Sequence, residues 1–293
     1  MDSIKTIARN ISFIENRVNG FEALLLAADE LKTTAGIIGI TGAPGAGKST
    51  LVDGLVQEMI NHQKKVAVIC VDPSSPFNMG ALLGDRIRMS KWYNNENVFI
   101  RSMASRKALG GLSPMIIEVT EYLKTTGFDY IIIETVGVGQ NEIDVAGLAD
   151  VTVVVVVPEG GDEIQTMKSG IMEIGDVFVV NKCDRPEADR FVKYLHSMLA
   201  PVFSRSEREI PVIKTVAEKH EGIALLYESV MKLLIEKNIS EKKYRLLAER
   251  AYQLIQSKRM NDIHKEELFR RIMIDMEQQK HFNLYRFIKN FVP

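Results

Sequence analysis

The sequence predicts an α/β fold with a mainly parallel central sheet flanked by helices. Two observations support this prediction. From Gly36 to about Ile223, short apolar runs alternate with helical stretches, which is the order of repeated β-α-β units. Residues 153–157 are apolar at every position, as is typical of a parallel strand that helices cover on both faces.

Helical segments are predicted both before and after the strands in the sequence. Residues 1–33 show isoleucines at helical spacing, and a second apolar helix follows Asn19-Gly20. The predicted strands are GIIGIT, KVAVICVD, NVFIRS, YIIIET, VTVVVVVP, VFVVNK and PVIKT. We expect an N-terminal helical extension (1–33), an α/β domain (34–236) and a C-terminal helical arm (237–293). The amphipathic helices of the arm either pack on their own domain or bury their apolar stripe in a second copy.

Composition and charge exclude several classes of protein. The 293 residues carry a formal net charge of −1, which gives no basic footprint for nucleic acid or an acidic membrane surface. The two cysteines are far apart and the five histidines do not cluster, so neither a disulfide framework nor a zinc site is indicated. No apolar run approaches the roughly 20 residues of a membrane helix, and the N-terminus lacks a secretory signal. We expect a soluble, cytoplasmic protein.

A glycine-rich loop follows the first strand. Residues 42–49 read GAPGAGKS and match G-x-x-x-x-G-K-[ST], between a strand and a helix as the motif requires. Backbone N–H groups of such a loop turn towards phosphate oxygens. We expect Lys48 to reach the terminal phosphates and the Ser49 hydroxyl to ligate Mg²⁺. The predicted nucleotide contacts here are Gly42, Ala43, Pro44, Gly45, Ala46, Gly47, Lys48, Ser49 and Thr50.

A guanine-reading element is predicted after the strand VFVV. Asn181-Lys182-Cys183-Asp184 matches N-K-x-D, in which the aspartate accepts from the guanine ring N–H and exocyclic amine. Adenine lacks that donor pair, and the unmet carboxylate would discriminate strongly against it. The alternative is a solvated turn. Further on, Val216-Ala217-Glu218 lies where many GTPases carry a Ser-Ala base loop, and because Val216 replaces the serine we expect only backbone contacts there.

Carboxylates at strand or loop ends predict the metal side of the site. Asp72 ends KVAVICVD, Asp85 lies in GALLGDRIRM, and Glu134 follows YIII. The carboxyl ends of parallel strands face the ligand crevice, so Asp72 and Glu134 should point towards the phosphates. Glu134 occupies the acid position of D-x-x-G and would hold Mg²⁺ directly or through water. Gly137 would offer its N–H to the γ-phosphate.

Three of these assignments keep an alternative. Asp72 also suits a turn before Pro73, and Asp85 could pair with a neighbouring arginine on the surface. Gln140 is a candidate to orient the attacking water, although a loop glutamine can equally be a surface residue. No arginine finger is evident in cis, and the candidates are Arg86, Arg88 and Arg106.

Taken together, these blocks resemble the methylmalonyl-CoA mutase-associated GTPases, once labelled arginine/ornithine transport kinases. The resemblance covers nearly the whole chain, and its blocks are GAPGAGKSTL, VDPSSP, GALLGDRIRM, FIRSMASR, GGLS, ETVGVGQNEIDVAGLAD, EGGDEIQTMKSGIMEI and NKCD. It implies a P-loop GTPase of the signal-recognition and nickel-insertion class. Such a protein is a chaperone that gates cobalamin loading and protects an adenosylcobalamin-dependent acyl-CoA mutase.

The resemblance also implies roles for particular residues. Ser49, Asp72, Asp85 and Glu134 form the magnesium and switch set beside Lys48, with GTP or GDP as the bound nucleotide. Residues 162–170 form an additional switch with Lys168 as its basic contact, and the C-terminal helices form a homodimerisation arm. The client could be methylmalonyl-, isobutyryl- or another acyl-CoA mutase.

Three other functions compete with this one. A nickel-insertion GTPase usually carries Cys or His ligands near the switches or a His-rich tail, and this sequence has neither. A small-molecule kinase needs an acceptor pocket with a base beside the γ-phosphate, a role that Asp72 could serve. A module that binds nucleotide without hydrolysis is disfavoured by Lys48, Ser49 and Glu134. We expect slow hydrolysis when the protein is alone.

Overall fold

The structure is a computed structural model of the chain. It describes residues 3–29, 35–72, 89–104, 115–135, 141–158, 170–206, 210–236, 241–260, 263, 265–278 and 287. The chain divides into two compact units, Met1–Tyr244 and Arg245–Pro293. The three-part division expected from the sequence stays a prediction.

A seven-stranded sheet forms the centre of the first unit, and its order is β3-β2-β4-β1-β5-β6-β7. Every pairing between neighbouring strands is parallel. The predicted α/β fold and its seven strands are therefore confirmed. The strands are β1 (Gly36–Gly42), β2 (Val66–Asp72), β3 (Val98–Ala104), β4 (Tyr130–Glu134), β5 (Val151–Val156), β6 (Val177–Val180) and β7 (Val212–Lys214).

Helices cover both faces of this sheet. In the first unit they are α1 (Ile4–Glu15), α2 (Phe21–Asp29), α3 (Lys48–Asn61), α4 (Ile116–Lys124), α5 (Asn141–Leu148), α6 (Gly170–Ile174), α7 (Ala188–Ser206) and α8 (Ile223–Ile235). The next helix, α9 (Glu241–Arg259), begins in the first unit and continues into the second, which also contains α10 (Lys265–Gln278). Among the described residues, no helix is both long and apolar enough to span a bilayer.

Residues 153–156 of strand β5 show why this part of the sequence is apolar at every position. Val153 and Val155 belong to the core shared with α3 and α8. Val154 and Val156 belong to a second core, which includes α7 residues such as Leu195. Successive side chains of a strand point to opposite faces, so these four residues face an apolar core on one side of the sheet or the other.

The N-terminal helical segment packs on the α/β part of the first unit. Ser3 caps α1 by accepting from the Thr6 N–H at 3.2 Å, and the helix buries Ile7, Ile11 and Ile14. Asn10 donates to the Tyr122 hydroxyl of α4 at 2.8 Å. Arg101 of β3 forms an ion pair with Glu15 of α1. These contacts hold α1 against α4 and against β3, the edge strand of the sheet.

Candidate active site

The predicted phosphate loop joins the end of β1 to the start of α3. Gly42 has φ 138°, and a Cβ there would lie 2.0 Å from the Val155 carbonyl oxygen. Gly47 has φ 89°, and its Cβ would lie 2.3 Å from Asn181 Nδ2. Only glycine satisfies both the left-handed backbone and the close approach. The loop therefore places the N-terminus of α3 at the carboxyl edge of the sheet, where helix N–H groups favour an anion.

Lys48 holds its ammonium group against this loop. The side chain is buried, and Nζ donates to the carbonyl oxygens of Gly42 at 2.8 Å and Ala43 at 2.9 Å. A buried ammonium is costly without acceptors, so these carbonyl groups hold the positive charge at the loop. The same place is where the phosphate oxygens of a nucleotide would bind.

Ser49 and Glu134 meet beside Lys48. The Ser49 hydroxyl donates to Glu134 Oε1 at 2.7 Å, and both residues are buried. Glu134 ends β4, where it lies opposite Ile40 of β1 and Cys70 of β2 in the sheet register. The fold therefore brings together two oxygen-bearing side chains that are 85 positions apart in the sequence.

The Ser49–Glu134 pair fits Mg²⁺. The ion prefers hard oxygen ligands, and it often takes only one or two from the protein while phosphates and water supply the rest. Within the described part of the chain, no group of three His, Cys, Asp or Glu side chains could hold a metal without such help. A hydroxyl and a carboxylate next to the phosphate loop are thus suited to a nucleotide-bound magnesium ion.

Other predicted residues of the metal side are only partly described. The backbone of Asp72 pairs with Ala104 at the same carboxyl edge of the sheet, but its side chain lies outside the described residues. Several further predicted residues also lie outside the described part of the chain. They are Asp85, Gly137, Gln140, Lys168 and the candidate arginines Arg86, Arg88 and Arg106. Their roles remain predictions.

Asn181 joins three loops by buried hydrogen bonds. Its Nδ2 donates to the Ala46 carbonyl oxygen of the phosphate loop at 2.8 Å. Its Oδ1 accepts from the Thr215 hydroxyl and from the Ala217 backbone N–H, each at 3.0 Å. Lys182 adds a bond to the Gly45 carbonyl oxygen at 2.8 Å. The phosphate loop, the N-K-x-D element and the loop after β7 therefore form one hydrogen-bonded unit.

Asp184 and the residues of the predicted base loop lie beside this unit. Val216 and Ala217 are buried, whereas Glu218 is exposed. The Asp184 carboxylate is exposed and accepts a hydrogen bond from Lys219 Nζ at 3.1 Å. That bond lowers the pKa of the Asp184 carboxyl below its ordinary value.

Lys219 was missed by the sequence reasoning. It belongs to none of the motifs, and only its position three residues after Val216, in the same predicted loop, could have indicated it. Asn181, in contrast, was predicted as a nucleotide contact, and its described partners are protein groups that hold the loops together.

A family comparison assigns the chain. The family model described as "Methylmalonyl Co-A mutase-associated GTPase MeaB" matches residues 7–274. The chain belongs to the MeaB family. The resemblance predicted from its motifs is confirmed, and the protein is a P-loop GTPase that binds guanine nucleotide and hydrolyses GTP.

Similar proteins agree with this assignment. A putative GTPase of Pyrococcus horikoshii is 44% identical over 231 residues, which cover 77% of this chain and 72% of that protein. A fused isobutyryl-CoA mutase of Geobacillus kaustophilus is 36% identical over 229 residues, which cover 74% of this chain and 21% of that protein. A crystal structure of an LAO/AO transport system kinase covers 98% of this chain and 93% of its own, with a TM-score of 0.66 and 23% identity. At that identity, the structural likeness supports the fold alone.

Proposed function

We propose that this GTPase gates cobalamin loading of an adenosylcobalamin-dependent acyl-CoA mutase and protects that enzyme. The observation that carries the proposal is the similarity to a segment of the fused isobutyryl-CoA mutase. The matched segment is 21% of that protein and covers 74% of this chain. A GTPase segment joined to a mutase is well placed to act on it. The family description, which names a mutase-associated GTPase, supports the same client class.

Nucleotide binding would use the groups gathered at the carboxyl edge of the sheet. The phosphate-loop N–H groups and the Lys48 ammonium would hold the β- and γ-phosphates. The Asp184 carboxylate would accept from the guanine ring N–H and amine. Ser49 and Glu134 would hold Mg²⁺, which when bound neutralises phosphate charge. Hydrolysis in this class depends on positioning and charge neutralisation, so these residues need no covalent step.

The segments next to Glu134 and Asp85 would signal to the mutase whether GTP or GDP is bound. Thr135, which follows Glu134, donates its N–H to the Ile40 carbonyl oxygen at 3.0 Å and its hydroxyl to Thr41 at 3.0 Å. This fixes the start of the segment that holds Gly137 and Gln140. We expect loss of the γ-phosphate to alter contacts in that segment, as in other GTPase switches.

A second copy of the chain would bind through the C-terminal helices. In the second unit, α9 and α10 expose large apolar side chains at helical spacing, namely Leu247, Tyr252, Leu254, Ile255, Phe269, Met273, Ile274 and Met276. Solvent contact of so much apolar surface is unfavourable. This exposure supports the proposed homodimer, and the molar mass in solution from light scattering would test it.

Purified components give the sharpest test of the client. Apo methylmalonyl-CoA mutase and apo isobutyryl-CoA mutase would each be mixed with the GTPase, Mg²⁺ and adenosylcobalamin. The absorbance of protein-bound cobalamin would be followed with GTP, with a nonhydrolysable GTP analogue and with no nucleotide. One of the mutases should accelerate phosphate release from GTP, and its loading should depend on which nucleotide is present.

Two outcomes would count against the proposal. If neither mutase changes GTP turnover and loading is independent of nucleotide, the chaperone role is wrong for these two clients while the GTPase remains. Phosphate release from GTP alone, measured with malachite green, separates this function from a kinase, because a kinase stays nearly silent until its acceptor is added. The Lys48→Ala variant serves as the control in both measurements.

A further inference from the structure

The Lys219 ammonium group lies beside the Asp184 carboxylate, which is proposed to bind the guanine base. Its Nζ is 3.1 Å from Asp184 Oδ2. Among the contacts of the described residues, no other ion pair or side-chain hydrogen bond to Asp184 is present. The neighbouring Val216 has no side-chain group that could hydrogen-bond to the carboxylate. Lys219 is therefore the side chain placed to control how Asp184 is oriented.

The loop that carries Lys219 is held by its own backbone. Val216 and Glu221 form an antiparallel bridge, with N–H···O distances of 3.1 and 3.3 Å. The Lys219 N–H donates to the Val216 carbonyl oxygen at 2.9 Å. Gly222 closes the loop with φ 77°, and a Cβ there would lie 2.2 Å from the Lys214 carbonyl oxygen. This turn gives the long Lys219 side chain a fixed origin beside Asp184.

We infer that Lys219 is a positioning residue for guanine specificity, an inference that rests on the proposed base-reading role of Asp184. A carboxylate has about four lone-pair sites. Lys219 uses one of them on Oδ2, and the guanine ring N–H and amine require one on each oxygen. The lysine and the base can therefore bind together. The bond to Lys219 restricts the rotation of the Asp184 side chain before the nucleotide binds. Less side-chain entropy is therefore lost on binding.

The chain offers a matched control for this inference. Lys214 of β7 forms an ion pair with Asp189, and both of these side chains are exposed. Like Lys219, Lys214 belongs to the strand-and-loop region beside the N-K-x-D element, but its partner has no assigned role towards the base. Replacing either lysine by methionine removes one positive charge and keeps an unbranched side chain. An effect specific to Lys219 therefore cannot come from the loss of charge alone.

The test measures binding of fluorescent GDP and GTP analogues to Lys219→Met, Lys219→Arg and Lys214→Met, with melting temperatures as a check of folding. Lys219→Met should weaken both nucleotides by the same factor, about two- to fivefold, as for the loss of an exposed ion pair. Lys219→Arg should restore most of the affinity, and Lys214→Met should bind like the wild type.

Inosine nucleotides give the decisive comparison, because inosine lacks the exocyclic amine that Asp184 is proposed to accept from. If Lys219 orients Asp184, Lys219→Met should reduce the preference for GDP over IDP. Equal losses for GDP and IDP, unchanged affinity, or tighter binding as expected of a competing lysine would each overturn the inference. A wild-type protein that shows no preference for GDP over IDP would refute the base-reading role of Asp184 itself.

Discussion

Replacement of Asn181 by alanine tests whether the three loops of the site are one unit. The side chain is 2% exposed and makes hydrogen bonds to Ala46, Thr215 and Ala217. A buried hydrogen bond contributes about 1 kcal/mol net, and a partner left unpaired in the interior raises the cost. Loss of all three bonds should lower the free energy of unfolding by about 2–4 kcal/mol.

Urea unfolding of the nucleotide-free protein measures this loss. Thr215→Val is the graded control, since it removes only the bond from the Thr215 hydroxyl to Asn181 Oδ1 and should cost about 1 kcal/mol. GDP affinity should also fall in Asn181→Ala, because the phosphate loop loses the bond at Ala46. If Asn181→Ala is no less stable than Thr215→Val, or if GDP affinity is unchanged, the reasoning that the loops act together is wrong.

Three further predictions concern single residues. Lys48→Ala should abolish phosphate release from GTP while circular dichroism shows a folded protein, and wild-type turnover would refute its role. Asp184→Asn should shift preference from GTP to xanthosine triphosphate, because the amide suits a different base edge, and unchanged preference in competition binding would reject Asp184 as the base reader. Asp53 accepts from the Trp92 indole N–H at 2.7 Å and pairs with Lys91 at 2.7 Å. Asp53→Ala should cost about 1–2 kcal/mol and change the emission of Trp92, the single tryptophan of the chain, whereas Asp53→Asn, which keeps an indole acceptor, should change it less. Identical emission and urea midpoints in the alanine variant would contradict this.

Local patterns in the sequence were sufficient to predict the strands and the phosphate loop. Most residues of the strands are apolar, and β1, β2 and β4 end at Gly42, Asp72 and Glu134, so local composition was enough to predict them. The loop motif requires glycine at Gly42 and Gly47, and the structure gives the steric reason for each. These features depend on residues that are close together in the sequence, so a local pattern is enough to predict them.

Contacts between distant segments could not be predicted in the same way. The ion pair of Arg101 with Glu15 joins residues 86 positions apart. Glu15 belongs to no motif, and the FIRSMASR block that contains Arg101 did not indicate its partner. The bond of Asn181 to Ala46 spans 135 positions. The N-K-x-D motif indicated that Asn181 matters, but it could not say that the side chain would bond to protein groups. Lys219 had only a weak signal, its position three residues after Val216, because exposed lysines in loops are common.

The hydrogen bonds that fold the site also hold the residues that are predicted to bind nucleotide. Lys48 bonds to carbonyl groups of the phosphate loop, Ser49 bonds to Glu134, and Asn181 bonds to the loops on either side. A nucleotide that bridges these loops binds the folded chain and not the unfolded one. It should therefore stabilise the protein by about 2.7 kcal/mol at one hundred times its dissociation constant. Because Asn181 joins the predicted phosphate loop and base loop, we expect a change in either loop to alter both the stability of the fold and the affinity for GTP.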